Sequence, residues 1–387
     1  MRVIRTAGLV VAVVTLALLL SACSFRSDDG TADDTPSSPD GRGLDISIEG
    51  WETDFSIHSV PLAEFQSGGP PRDGIPPIDE PEFVGVGDQP IPPREPVIAL
   101  RIGDDARAYP LRIMIWHEIV NDTVDGTPVA VTFCPLCNTA VVFDRRIAGR
   151  TLDFGTTGNL RLSDLVMWDR QTESWWQQFT GEAIVGELTG AELEPVPARI
   201  MSAAAFAEEF PDGRVLSTDT GHSRPYGQNP YAGYDDVDSP PFLLRDREPD
   251  GRLPPKERVV TVDVDEEMVV YPLPLLEERT LVEDEVGDVP VLVWWEDGTA
   301  SALDSEAIAQ GRDVGAATVL DRRLDGRTLT FEAAGERIRD TETGSTWNRD
   351  GLALGGPLTG ERLAQVVHDT PFWFAVAAFR PDARISQ

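Results

Sequence analysis

The sequence predicts a mainly β protein (α+β) made of two tandem homologous β-rich domains, each closing with a short helix. Three observations carry this. Runs rich in Val, Ile and Thr are broken by Asp-Gly and other Gly-rich pairs, which is hairpin chemistry. Several sequence blocks return in the same order at a spacing far longer than a solenoid repeat. Each set of blocks also ends in a short apolar stretch with helix start and stop signals. Ser202 precedes Ala203 to Phe210 and Pro211, and Thr370-Pro371 precedes a run to Phe379 and Pro381.

Taken in order, the first 22 residues read as a targeting segment. Arg2 and Arg5 precede an apolar run from Ala7 to Leu20, too short for a comfortable membrane span and ending in small residues. Leu20-Ser21-Ala22-Cys23 is similar to a bacterial lipobox, which makes Cys23 the lipidated first residue of the mature chain (palmitate among its acyl groups). The expected location is therefore the cell membrane, lipid-anchored and facing outside the cytoplasm. Residues 23–48 are acidic and Ser/Pro/Gly-rich, a disordered tether, and 49–94 form a Pro-rich strap. The formal charge of −33 at pH 7 excludes nucleic acid and anionic lipid surfaces as electrostatic partners.

The repeats place a first unit at 95–216, a connector at 217–258 and a second, degenerate unit at 259–387. Val141 to Phe154 matches Thr318 to Phe331, and Gly181 to Gly190 matches Gly351 to Gly360. Between these blocks Asp169, Thr172, Ser174 and Trp176 match Asp340, Thr343, Ser345 and Trp347. Upstream, Ala108 to Leu111 matches Val270 to Leu273.

Chemistry concentrates in His117 to Asp144. An Asp125-Gly126 turn sets His117 across a hairpin from Cys134, and a Pro-Leu bend returns Cys137 to the same spot before a third strand. Two thiols and an imidazole suit copper or zinc, with a vacant position for a fourth group. Met114, Met167, His222 and Asp169 are the candidates for it, and the sequence does not rank them. The shift that aligns the Tyr-Pro-Leu blocks puts Arg279 at His117, Glu296 at Cys134 and Thr299 at Cys137, so a second-unit ion pair could stand where the first unit has ligands.

Two other readings stay open. Cys134 and Cys137 could form a thiol/disulfide redox pair, although β-branched residues after Cys137 predict a strand where a thioredoxin has a helix. Alternatively the protein is a non-catalytic extracytoplasmic binding or scaffold protein, its thiols merely stiffening a bend. The H-E-x-x-H pattern fails because residue 121 is Asn, and no G-x-S-x-G, P-loop or dinucleotide fingerprint occurs. In the connector, Arg224, Tyr226, Asn229 and Tyr231 have the polar-aromatic character of a binding loop.

The stretches W-H-E-I-V-N-D, F-C-P-L-C-N-T-A-V-V-F-D-R, D-R-Q-T-E-S-W-W, Y-G-Q-N-P-Y-A-G-Y-D and R-L-P-P-K-E-R together resemble domain-of-unknown-function family 3179. The resemblance covers about residues 90–385 and implies a bacterial or archaeal, often exported protein. It implies no activity, while the family's His and two Cys correspond here to His117, Cys134 and Cys137.

Overall fold

Two antiparallel hairpins joined by a short helix begin the body. The computed structural model describes residues 46–244, 250–265, 267–335 and 337–387. The expected signal segment, Cys23 and nearly all of the tether lie outside the described residues. Pro96–Ile102 pairs with Asp105–Pro110, α1 (Leu111–His117) follows at once, and Ile119–Val124 turns back into Thr127–Thr132. Asp125 and Gly126 both have positive φ (44° and 77°), the two-residue geometry whose twist matches the strands. Ile119 therefore pairs with Thr132 and Val124 with Thr127, the register expected from the turn.

That register does not reach His117. Pro110 is extended and caps a seven-residue helix that buries Leu111, Ile113, Met114, Ile115 and His117. Glu118 then ends the helix at φ 59°, a left-handed conformation that redirects the chain into the strand. The expectation of His117 facing Cys134 across a hairpin is corrected: His117 closes a helix.

The rest of the first half adds sheets around this start. Val142–Asp144 pairs with Thr127–Thr132. Phe154–Arg161, Asp164–Asp169, Trp175–Gln177 and Ala183–Val185 form an antiparallel run. Ala198–Ser202 pairs with Pro96–Ile102 and leads into α2 (Ala203–Glu209), whose first turn is capped by Ser202 Oγ accepting from Ala205 N at 3.2 Å. Arg214–Leu216 then lies parallel to Asp105–Pro110. The strap contributes edge strands: Phe65–Ser67 joins Phe154–Arg161, and Phe83–Gly85 joins Arg214–Leu216.

The same elements return in the same order. Val259–Val264 and Glu267–Pro272 pair, α3 (Leu273–Arg279) follows, and Leu281–Val286 pairs with Val289–Glu296. Thr280 ends α3 at φ 62°, as Glu118 ends α1. His368–Asp369 precedes α4 (Trp373–Phe379), and Arg384–Ile385 lies parallel to Glu267–Pro272. The expected Thr370-Pro371 start is shifted: α4 begins at Trp373 with no side-chain cap. Buried anchors recur too. Tyr109 Oη donates to Asp122 at 2.6 Å and Tyr271 Oη to Asp284 at 3.0 Å. Trp176 Nε1 donates to Asp169 and Trp347 Nε1 to Asp340, both at 2.9 Å. The described residues thus form a mainly β body of several sheets and four α-helices. Its largest core cluster takes Leu303, Ile308, Phe372 and Phe374 from the second half alongside Cys134 and Cys137 from the first. No helix among the described residues is long and apolar enough to cross a membrane.

Candidate functional site

The bend carrying the two cysteines is a small closed hairpin. Cys134 N donates to Thr139 O at 2.9 Å and Thr139 N returns to Cys134 O at 3.3 Å, so residues 135–138 bulge out as a turn. Asn138 occupies the left-handed position of that turn (φ 55°) and its amide donates to Thr370 O at 2.6 Å. Phe372 N donates to Cys137 O at 2.8 Å, which ties the bend to the segment before α4. A strand, not a helix, follows Cys137, as the β-branched residues require.

Asp164 comes to the thiols from another hairpin. Its turn is Leu162-Ser163, with φ 53° and 68°, between the paired residues Arg161 and Asp164. A non-glycine pair in this conformation stores about 1–2 kcal/mol per residue, the kind of local strain found where a fold must aim a functional group. Here the turn presents Ser163 O, which accepts from Cys137 Sγ at 3.2 Å, and the Asp164 carboxylate. Donor atoms of Cys134, Cys137 and Asp164 all lie within 4.8 Å of one another. The three residues are 2 %, 0 % and 0 % exposed. Asp164 Oδ2 accepts from Gln177 Nε2 at 2.6 Å and Phe179 N at 2.9 Å, while Oδ1 is buried without a hydrogen-bond partner among the described residues.

The electrostatics of this interior are one-sided. Burial lifts the Asp164 carboxyl to about 6 against the pull of Gln177, Phe179 and the two thiols, and lifts Glu118 to about 8, Asp164 adding to the effect. Glu118 is buried, and its carboxyl makes no hydrogen bond to a described residue. Burial also raises both thiols above the ordinary cysteine value, Cys137 the more strongly. Asp369, half-buried by exposure and held by the amides of Ala140 and Thr370, is lifted to about 7, burial outweighing both bonds. No cationic side chain is among the main influences on these five acids.

The structure separates His117 from this cluster. Its Nδ1 lies 2.7 Å from Pro76 O and its Nε2 2.6 Å from Tyr226 Oη, so both ring nitrogens are engaged elsewhere. Of the candidates for a fourth donor, Met167 is buried in the same apolar cluster as the cysteines. His222 is exposed, its ring 5.3 Å from that of His117. Asp169 is committed to Trp176 and Thr172, and Met114 is core. In the connector, Tyr226 binds His117, and Asn229 is buried, accepting Tyr231 N and donating to Ser305 O. Arg224 is exposed. Tyr231 packs on the core cluster with its hydroxyl acidity suppressed by burial and by Glu118, and Tyr234 is suppressed by burial and by Cys137. Tyr226, Tyr231 and Tyr234 of the connector thus pack against the core cluster that holds both cysteines. In the second half, Arg279 Nη1 donates to Gln387 O and Glu296 pairs with Arg349 at 2.7 Å, so the two do not pair with each other.

Sequence reasoning missed Asp164, Glu118 and Asp369. Asp164 is one of 66 acidic residues, and the only local hint was its place in a turn that lacks Asn-Gly chemistry.

Fold and site together define a mainly β protein with a buried cluster of two thiols and a carboxylate roofed by a tyrosine-rich segment. By sequence the chain belongs to the family described as Protein of unknown function (DUF3179), whose model matches residues 72–383. No curated protein and no solved structure matches the chain.

Proposed function

We propose that the chain is a lipid-anchored, extracytoplasmic protein that binds a divalent metal ion, zinc before copper, through Cys134, Cys137 and Asp164. The observation carrying this reading is the buried set of acids without a cationic partner, with Asp164 Oδ1 unpaired at its centre. A buried anion with no counter-charge is costly. A dication reverses that cost, because metal binding lowers the proton affinity of thiols and carboxyls alike. Two thiolates with a hard carboxylate oxygen suit zinc better than Cu(I), which favours sulfur throughout. Three protein donors leave one position for water or another ligand. His117 is dropped from the ligand set because its nitrogens are occupied.

The chain reads further as two tandem homologous units, 95–216 and 259–387, the second degenerate. The matching hairpin–helix–hairpin order and the paired Trp–Asp and Tyr–Asp anchors support this. Where the first unit has Glu118 after its helix, the second has Thr280, so the helix end does not need an acid there.

The test is metal analysis of the full chain made without strong chelators, with thiol titration in parallel. The expected result is stoichiometric zinc, lost in Cys134→Ser and Asp164→Asn and kept in His117→Gln. A metal-free protein whose two thiols oxidise and reduce reversibly would instead establish the redox reading, and inert thiols the scaffold reading.

A further inference from the structure

A second group of reactive side chains lies beside the cluster and is separate from it. His117 Nδ1 is 2.7 Å from Pro76 O. A carbonyl only accepts, so Nδ1 carries the hydrogen and donates it. Burial holds the imidazole down at about 4, which keeps it neutral at physiological pH. Nε2 is therefore a lone pair, and Tyr226 Oη, 2.6 Å away, donates to it. The phenol oxygen in turn sits 2.6 Å from Thr220 Oγ1, which donates to it. The chain of hydrogen bonds thus runs one way, from Thr220 through Tyr226 and His117 to Pro76.

A hydroxyl, a base and a group that orients the base, drawn from three distant segments, is the arrangement that activates a nucleophile. Tyr226 is only half-buried, so its oxygen stands near solvent. Burial raises the Tyr226 phenol above its ordinary value, so the proton transfer leans on the 2.6 Å contact with His117, while the Thr220 hydroxyl and the positive charge of Arg224, exposed on the same loop, pull the phenol back down. The second half keeps none of this, since α3 ends in Arg279.

We propose that Tyr226 is a nucleophile, with His117 as its base, toward an activated acyl group carried on an anionic molecule. Tyr226 Oη bonds to the acyl carbon and the leaving group departs with the electron pair of the broken bond. The phenolic proton passes to His117 Nε2, and from there to the leaving group or water. Pro76 O holds the ring in the required tautomer, and Arg224 supplies the counter-charge for the anion.

Arylsulfonyl fluorides test this directly. The same oxygen attacks sulfur, fluoride leaves, and the product is a stable aryl sulfonate located by peptide mass spectrometry. Tyr231 and Tyr234, on the same segment, have no imidazole partner among the described residues and have phenols suppressed further by burial, so they report general changes in labelling. With para-carboxybenzenesulfonyl fluoride on the unaltered full chain, Tyr226 should label at least about tenfold faster than either, a modest share of the roughly 10²–10⁴ that general bases supply. His117→Gln should bring Tyr226 down to the control rate and leave the controls unchanged. Arg224→Ala should slow the anionic probe several-fold and spare a cationic para-aminomethyl analogue. Even labelling of the three tyrosines would overturn the proposal, as would a Tyr226 rate indifferent to His117→Gln. Because burial alone slows Tyr231 and Tyr234, the decisive reading is the His117 dependence, and His117→Asn supplies it if His117→Gln does not fold. Adding a chelator should change nothing, which keeps the outcome independent of the metal site.

Discussion

Asp164→Asn separates a residue kept for a cation from one kept for stability. The side chain is fully buried, and its carboxyl sits at about 6 in the fold against 3.8 for the free group. A carboxyl that binds its proton more tightly when folded destabilises the fold once ionised. That burden is full above about pH 6, shrinks as pH falls, and is gone below about pH 4. A shift of about 2 units corresponds to on the order of 3 kcal/mol. Asparagine keeps the shape, still accepts from Gln177 Nε2 and Phe179 N, and carries no charge. In chelator-treated protein at about pH 7.5, the variant should therefore be more stable by about 1–3 kcal/mol, or roughly 1–4 °C in Tm for a body of this size. Added zinc should do the opposite. Four-ligand zinc sites are worth about 10–16 kcal/mol, so losing one ligand should weaken binding by roughly 10²–10³-fold. Thermal melts with chelator and with zinc read both effects. A variant less stable than the parent in chelator would mean that Asp164 holds the fold together by itself and is not kept for a cation.

Further outcomes follow from the same geometry. Metal-free protein should gain stability as pH falls from about 8 to about 5, while Glu118, Asp369 and Asp164, at about 8, 7 and 6, take up protons; urea midpoints across that range check it, and a flat profile would contradict it. Asp122→Ala strands the Tyr109 hydroxyl and the Arg107 guanidinium, both 2.6 Å from its carboxylate, and should cost about 3–5 kcal/mol by denaturant unfolding. Gly158→Ala would put a Cβ 2.1 Å from Pro70 O at φ 77°, so the strap should loosen and become cleavable by limited proteolysis near Pro70. Ser202→Ala removes the cap of α2 and should cost about 1 kcal/mol.

Local chemistry made much of the fold legible. Asp125-Gly126 fixes its hairpin register, Ser202 starts its helix, and the blocks around Trp176 and Trp347 fold into matching strands with matching hydrogen bonds. The reading failed where tertiary packing decided. Leu111 to His117 has too few residues to show a helical period, and extending the hairpin through it put His117 in a strand. The two cysteines announced themselves by spacing, but Asp164 reaches them from 27 residues beyond Cys137, through a turn at Leu162-Ser163 that no turn preference predicts. Glu118 is a candidate only because its side chain is buried, which the letters H-E do not reveal.

X-ray absorption at the zinc edge of the loaded protein interrogates the centre itself. Zinc held by Cys134, Cys137 and Asp164 should show two sulfur neighbours at about 2.3 Å and oxygen neighbours at about 2.0–2.2 Å, with no imidazole scattering. A spectrum without sulfur, or one carrying the imidazole signature of His117, would contradict it.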